Sequence, residues 1–145
     1  MRLFLSSCLL FLLCSTAQGQ VKKILHQSFE LETINDVKFD LFGEYEIVQW
    51  AGNSILVETS VELYSASRDV YNHFKKEGRY DLKADTTGSM ITLQSVDRER
   101  RPIKYRGEEC FEIIRVRILA PEDFDIVDRQ TLARKEPILA EESNE

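Results

Sequence analysis

The chain has 145 residues, 30% of them charged, with 25 acidic side chains against 19 basic ones. That acidic balance excludes non-specific nucleic-acid binding, which needs a positive field to release counterions. It also gives no general attraction to anionic membranes.

The first predicted element is an address. Arg2 supplies a positive charge, Leu3 to Cys14 is an apolar run broken only by Ser6 and Ser7, and Ala17-Gln18-Gly19 places small residues at the −3 and −1 positions of a peptidase site. The sequence predicts a signal peptide over 1–19, cut after Gly19. A membrane anchor is the first rival, but a spanning helix needs ~20 apolar residues and this run is shorter. A lipoprotein signal is the second: Leu5-Ser6-Ser7-Cys8 has the residues of a lipobox, although only seven residues precede Cys8. The expected location is therefore periplasmic or extracellular, with lipid anchoring through Cys8 as the alternative. No later segment approaches spanning length.

Removing 19 of 145 residues leaves 126, with 18 basic and 25 acidic side chains, a formal charge of −7. That length suits one domain with its own core. Cys110 is the only cysteine beyond the signal, so no internal disulfide is available and burial must hold the fold. An exported domain of this size without disulfides suits a bacterial envelope.

Downstream the dominant period is two. Val37, Phe39 and Leu41 alternate with Lys38 and Asp40. Tyr45–Trp50 reads as a strand, Ala51-Gly52-Asn53-Ser54 as a turn, and Ile55–Tyr64 as the returning strand, so a hairpin over Tyr45–Leu63 is expected. A helix near 68–77 follows, capped by Ser65 or Ser67, with Val70, Tyr71 and Phe74 at helical spacing and Gly78 to end it. Further strands are expected at Arg79–Lys83 and Met90–Val96, separated by turn residues Asp85-Thr86-Thr87-Gly88. A charged loop over Asp97–Pro102 precedes strands at Ile103–Tyr105 and Cys110–Leu119, Pro121 breaks the ladder, and a short strand follows at Phe124–Val127. Periodicity fades from Asp128, so 128–145 reads as a charged, mobile tail after a β-rich domain over 20–127. The expected fold class is mainly β: one domain of stacked sheets, β-solenoid-like or a β-sandwich, with one short helix.

The strand ending in Trp50, then Gly52-Asn53, then Ile55-x-Val57-x-Thr59, resembles the small β-repeat units of bacterial secreted putative-adhesin head domains. Ile114–Leu119 leading into Ala120-Pro121 is similar to the strand–proline exit of that family. The resemblance spans residues 28–127 and implies an exported stack of sheets without catalytic residues. The helix at 68–77 departs from the simple repeat.

Candidate chemistry is sparse. His26 and His73 are the two histidines, and a metal site would need them to converge. Cys110 with His73 is the one thiol–imidazole candidate, set against Cys110 as a small buried hydrophobe. Glu44, Glu46, Glu58 and Glu62 are candidate paired carboxylates, set against a solvated sheet face. Arg98, Arg100, Arg101, Lys104 and Arg106 concentrate five cations in nine residues and form the candidate anion- or glycan-binding site. Trp50 with Tyr64, Tyr71 and Tyr80 offers a sugar-stacking platform, set against core packing.

No catalytic, metal or cofactor site is assigned. The expected function is adhesin-like binding or scaffolding at the cell envelope, with an envelope protein or a glycan as partner and no nucleic acid. A secreted hydrolase using a carboxylate or Cys110 is one alternative. A periplasmic small-ligand sensor or accessory subunit, with an apolar cavity between sheets, is another.

Overall fold

The computed structural model describes residues 19–139; residues 1–18 of the predicted signal, Cys8 among them, and the last six residues lie outside that range. In chain order the elements are β1 (Gln20–Glu30), β2 (Asp36–Asp40), β3 (Tyr45–Trp50), β4 (Ser54–Tyr64), α1 (Arg68–Lys76), β5 (Leu82–Thr87), β6 (Met90–Ser95), β7 (Lys104–Tyr105), β8 (Glu108–Glu109), β9 (Phe111–Pro121), β10 (Phe124–Asp128) and β11 (Thr131–Arg134). The mainly β expectation holds, with the helix at its expected place.

Two mixed sheets pack face to face in a sandwich-like domain. One has the order β1-β4-β9-β3 and the other β10-β11-β2-β6-β5, while β7 and β8 form a small hairpin. Alternation decides which side chains enter the core. Val37 and Phe39 from β2, Ile91 and Leu93 from β6, Ile55 and Val57 from β4, and Ile118 and Ala120 from β9 all meet between the sheets with Phe124 and Leu132. Complete burial of a side chain of this kind stabilises the fold by about 1.5–3 kcal/mol. A second cluster continues along β4, where Val61 and Leu63 meet Ala66, Tyr71, Tyr80, Ile103 and Cys110 under α1 and the β7–β8 hairpin.

The helix follows local rules. Ser67 accepts a hydrogen bond from the Val70 amide at its N-terminus, and His73, Lys75 and Lys76 lie in the last turn, where the dipole favours cations. Gly78, at φ +78°, turns the chain out of the helix.

Four expectations need correction. The hairpin over Tyr45–Leu63 does not form. β9 lies between its arms, parallel to β3 (Tyr45 opposite Val116) and antiparallel to β4 (Val57 opposite Ile118). The Ala51–Asn53 link can pass over because β9 ends at Pro121, which has no amide hydrogen to extend the ladder.

Strand β5 begins at Leu82 rather than Arg79, and Asp85–Thr87 belong to it. The turn is tighter than expected, at Gly88-Ser89, with Gly88 at φ +60°. Residues 128–134 are not a mobile tail: β11 pairs with both β10 and β2, and Leu132 is fully buried. Strand β1 is not among the expected strands; it carries His26 and pairs with β4 along its whole length. Facing sheets with long-range pairing also favour the sandwich over the solenoid.

Glutamine side chains lace both flanks of the sandwich. On one flank Gln27 of β1 donates to the Leu82 carbonyl and accepts from the Leu82 amide, at 3.1 and 2.9 Å, imitating a strand pair between the sheets. On the other, Gln49 of β3 donates to the Phe124 carbonyl at 2.8 Å and the Tyr45 hydroxyl donates to the Arg129 carbonyl at 2.6 Å.

Candidate functional site

The inward face of β9 runs Ala120, Ile118, Val116, Ile114 and then Glu112, so an apolar row ends on a carboxylate. Glu112 meets Arg79, which α1 and Gly78 place just after the helix. Arg79 donates from Nε to Oε1 at 3.1 Å and from Nη2 to Oε2 at 2.8 Å, and its Nη1 reaches Asp97 Oδ2 at 3.1 Å. The Tyr80 hydroxyl donates to Glu112 Oε1 at 2.8 Å. Arg79 is 5% exposed, so this pairing is largely shielded from water. Burial alone would lower the Arg79 pKa, but the hydrogen bonds and charges of Glu112, with Asp97, outweigh it and the net direction is up. Burial, reinforced by Glu112, pushes the Tyr80 phenol well above its ordinary range.

Asp97 also shapes the loop after β6. Its Oδ1 accepts from the amides of Glu99 and Arg100 at 3.1 and 3.0 Å. Arg100 takes the left-handed conformation, at φ +45°, which is costly for a residue with a Cβ. The result separates Arg100 from its neighbours. Its guanidinium turns inward over the rings of Phe42 (5.5 Å) and Tyr80 (5.8 Å). Arg100 Nε and Nη1 are buried with no hydrogen-bond acceptor among the described residues. An unmet buried donor costs ~1–3 kcal/mol, and a ring contact of this kind returns ~0.5–2 kcal/mol. The rings therefore offset the charge but leave the donors unfilled. Burial pulls the Arg100 pKa below the ordinary arginine value, although Glu112 opposes it.

These groups wall a cleft of about 300 Å³, lined by Phe42, Gly43, Glu44, Arg79, Arg100, Glu112 and Ile114. Its rim on one side is the β2–β3 loop, tied down where the Phe42 amide donates to Ser95 Oγ at 2.9 Å. Gly43, at φ +84°, lets that loop reverse.

The five cations expected to act together do not share one site: Arg98 and Arg101 line a separate, open surface groove with Arg79, beside Glu77, Asp97 and Glu99. Arg98 pairs with Asp40 at 2.8 Å and Arg101 with Glu99 at 2.7 Å, both exposed. Lys104 faces Glu109 across the β7–β8 hairpin, and Arg106 lies over the Tyr105 ring at 5.1 Å. Arg100 alone of the five enters the cleft.

The other candidates separate as well. His26 meets Glu58 at 3.2 Å on the outward face of β1 and β4, while His73 packs edge-on to Phe74 on α1. Among the described residues no group of three or more His, Cys, Asp or Glu side chains is placed to hold a metal ion. The Cys110 thiol donates to the Ser65 carbonyl at 3.3 Å inside the second core cluster. Burial and then the charge of Glu108 push its pKa up, opposite to the shift a nucleophile needs.

On the outward sheet face, Glu58 and Glu46 flank Arg117 in register. Glu62 is held by Tyr64, Lys22 and Arg115 at 2.8, 3.2 and 3.0 Å, which keeps its carboxyl below the ordinary range. Only Glu44 of the four expected carboxylates reaches the cleft. The aromatic platform does not assemble either: Tyr71 and Tyr80 stack at 5.7 Å inside the core, and Tyr64 pairs with Phe111 on the outward face.

Sequence reasoning missed Arg79, Glu112 and Phe42. Two signals were present: an arginine directly after a helix-ending glycine, and a glutamate at an inward position of an apolar strand. Among the described residues no helix is long and apolar enough to cross a membrane. Comparison with family models, curated proteins and solved structures finds no match to this chain.

Proposed function

We propose that the chain is an exported, non-catalytic β domain that binds at the bacterial cell envelope in the manner of an adhesin head, taking the anionic group of a glycan or envelope protein in the Arg100 cleft. One observation carries this reading. Among the described residues, a guanidinium in the wall of a cleft has two donor nitrogens with no acceptor. Strain and unmet hydrogen bonds held by a rigid scaffold are the usual marks of a binding position. The sandwich supplies that scaffold, because Arg100 is aimed by Asp97 and braced by Tyr80.

Retention on an acidic polysaccharide column tests the binding. The wild-type protein is expected to be retained and released by salt. Arg100→Ser should lose retention, while Arg101→Ser, at an exposed and paired position, should not. Equal retention of both variants would overturn the assignment. Cell fractionation with mass spectrometry of the mature N-terminus tests the export: a chain beginning at Gln20 outside the cytoplasm supports it.

A secreted hydrolase is a second reading, favoured by Glu44 and Glu112 lining one cleft. Both Glu112 oxygens are already engaged by Arg79 and Tyr80, an anchoring arrangement. Turnover of a chromogenic glycoside that disappears in Glu112→Gln would establish this reading over the first.

A further inference from the structure

The cleft contains two kinds of charge. Arg79 and Glu112 spend theirs on each other. Arg100 and Glu44 do not: among the described residues neither forms an ion pair, with the other or with any third group. Opposite charges that line one small cleft without touching leave a gap that a ligand bearing both signs would bridge. The remaining walls are Phe42 and Ile114, which favour an apolar body, and Gly43, where no atom lies within 4 Å of a Cβ position.

From this juxtaposition we infer that the cleft is a site for a small zwitterion of the α-amino-acid type, its carboxylate on Arg100, its ammonium on Glu44 and its side chain against Phe42 and Ile114. The inference rests on the anion-binding reading above and narrows it.

Size agrees with this assignment. A cleft of about 300 Å³ lies at the small end of ligand sites, roughly 300–1,000 Å³. A polymer could place only one residue there. Charge agrees too, because a simple anion would meet the unpaired carboxylate of Glu44 beside Arg100, whereas a zwitterion satisfies both groups.

Phe42 acts as the cover. Arg100 Nε and Nη1 are shut off from water with the guanidinium over the Phe42 and Tyr80 rings; Tyr80 is buried, whereas Phe42 is 49% exposed and next to Gly43. A swing of the Phe42 ring uncovers the donors, and the ligand's carboxylate takes the place of the ring against the cation. This exchanges a cation–π contact for charge-assisted hydrogen bonds, the stronger interaction.

Three matched probes of one carbon skeleton test this: valine, which carries both charges; isovalerate, which carries the carboxylate alone; and isobutylamine, which carries the ammonium alone. Each is titrated into ¹⁵N-labelled protein while the amides of Phe42, Gly43, Glu44 and Arg100 are followed. Valine is expected to shift these signals at least tenfold more tightly than isovalerate, with isobutylamine without effect. Glu44→Gln, at an exposed position that leaves the fold alone, should bring valine down to the level of isovalerate. Arg100→Lys keeps the charge and should weaken both carboxylate probes.

Isovalerate binding as well as valine in the wild-type protein would overturn the zwitterion assignment and leave the anion reading standing. Absence of binding by all three probes, with salt-sensitive polysaccharide retention intact, would do the same. Loss of that retention as well would overturn both.

Discussion

Arg79 and Glu112 meet through two near-parallel contacts, Nε to Oε1 at 3.1 Å and Nη2 to Oε2 at 2.8 Å, where the end of α1 joins β9. The fork geometry matches a carboxylate on two points, and the side chains are only 6% and 14% exposed. Removing one partner strands the other charge away from water. Glu112→Ala is expected to lower unfolding free energy by about 3–5 kcal/mol, measured by urea denaturation. A loss under ~1 kcal/mol, the level of an exposed pair, would mean that the seam is solvated.

Trp50 folds its indole over Gly52 and donates from Nε1 to the Ser54 carbonyl at 3.0 Å. A Cβ on residue 52 would fall against the ring itself, far inside contact distance. Gly52→Ala is therefore expected to displace the ring and cost about 1–3 kcal/mol, the usual penalty of overpacking. Trp50 is the single tryptophan of the chain, so its emission reads the change directly. The variant should emit at longer wavelength, and an unchanged spectrum with unchanged stability would contradict the packing described.

Leu132 tests whether the last strand belongs to the core. It is 0% exposed and lies among Val37, Phe124 and Ile91. Leu132→Ala should cost about 2–5 kcal/mol in thermal or urea unfolding. Truncation after Arg129 removes the strand that joins β10 to β2 and is expected to yield no cooperative transition. A stable truncated protein would return residues 130–134 to the status of a tail.

Tyr80 gives a pH dependence with a definite sign. Burial and then the neighbouring Glu112 raise its pKa above the ordinary 10.0, so the folded state keeps a proton that the unfolded chain releases. The contribution of this group to stability is complete below about pH 10 and is lost as pH rises further. Urea midpoints should fall above pH 10, and Tyr80→Phe should flatten that slope after correction for its lost hydrogen bond. An identical slope in the variant would place the titrating group elsewhere, with Tyr71, also raised by burial, the next to replace.

Local features were legible in the sequence because they depend on near neighbours. Val37 and Phe39 alternate with charged residues and are buried as alternation requires. Ser67 and Gly78 bound the helix by capping chemistry that acts over a few residues. The pairing of β3 with β9 instead of β4 was not legible, because a two-residue period is equally content with either neighbour. Four residues with one leucine gave β11 too little pattern to rise above the charges around it.

The cleft was half legible. Composition marked the Arg98–Arg106 stretch but could not rank its cations, which differ only in backbone angle and partner. Arg106 is left-handed as well; the turn at Asp97 and the inward aim over Phe42 and Tyr80 single out Arg100, and both appear only in three dimensions. Arg79 and Glu112 each carry a local signal, after a helix-ending glycine and at an inward strand position, but that the two meet is visible only in the folded chain.

The threading of β9 between β3 and β4 sets an order of events for a nascent chain. Tyr45 cannot find its partner until Val116 exists, nor Val37 its second neighbour until Leu132 does. No early hairpin can stand in for those contacts, and loop closure over such separations must precede any reward from burial. The chain is thus built to reach its native state late and slowly, with one sheet finished only when β9 arrives and the other only when β11 does.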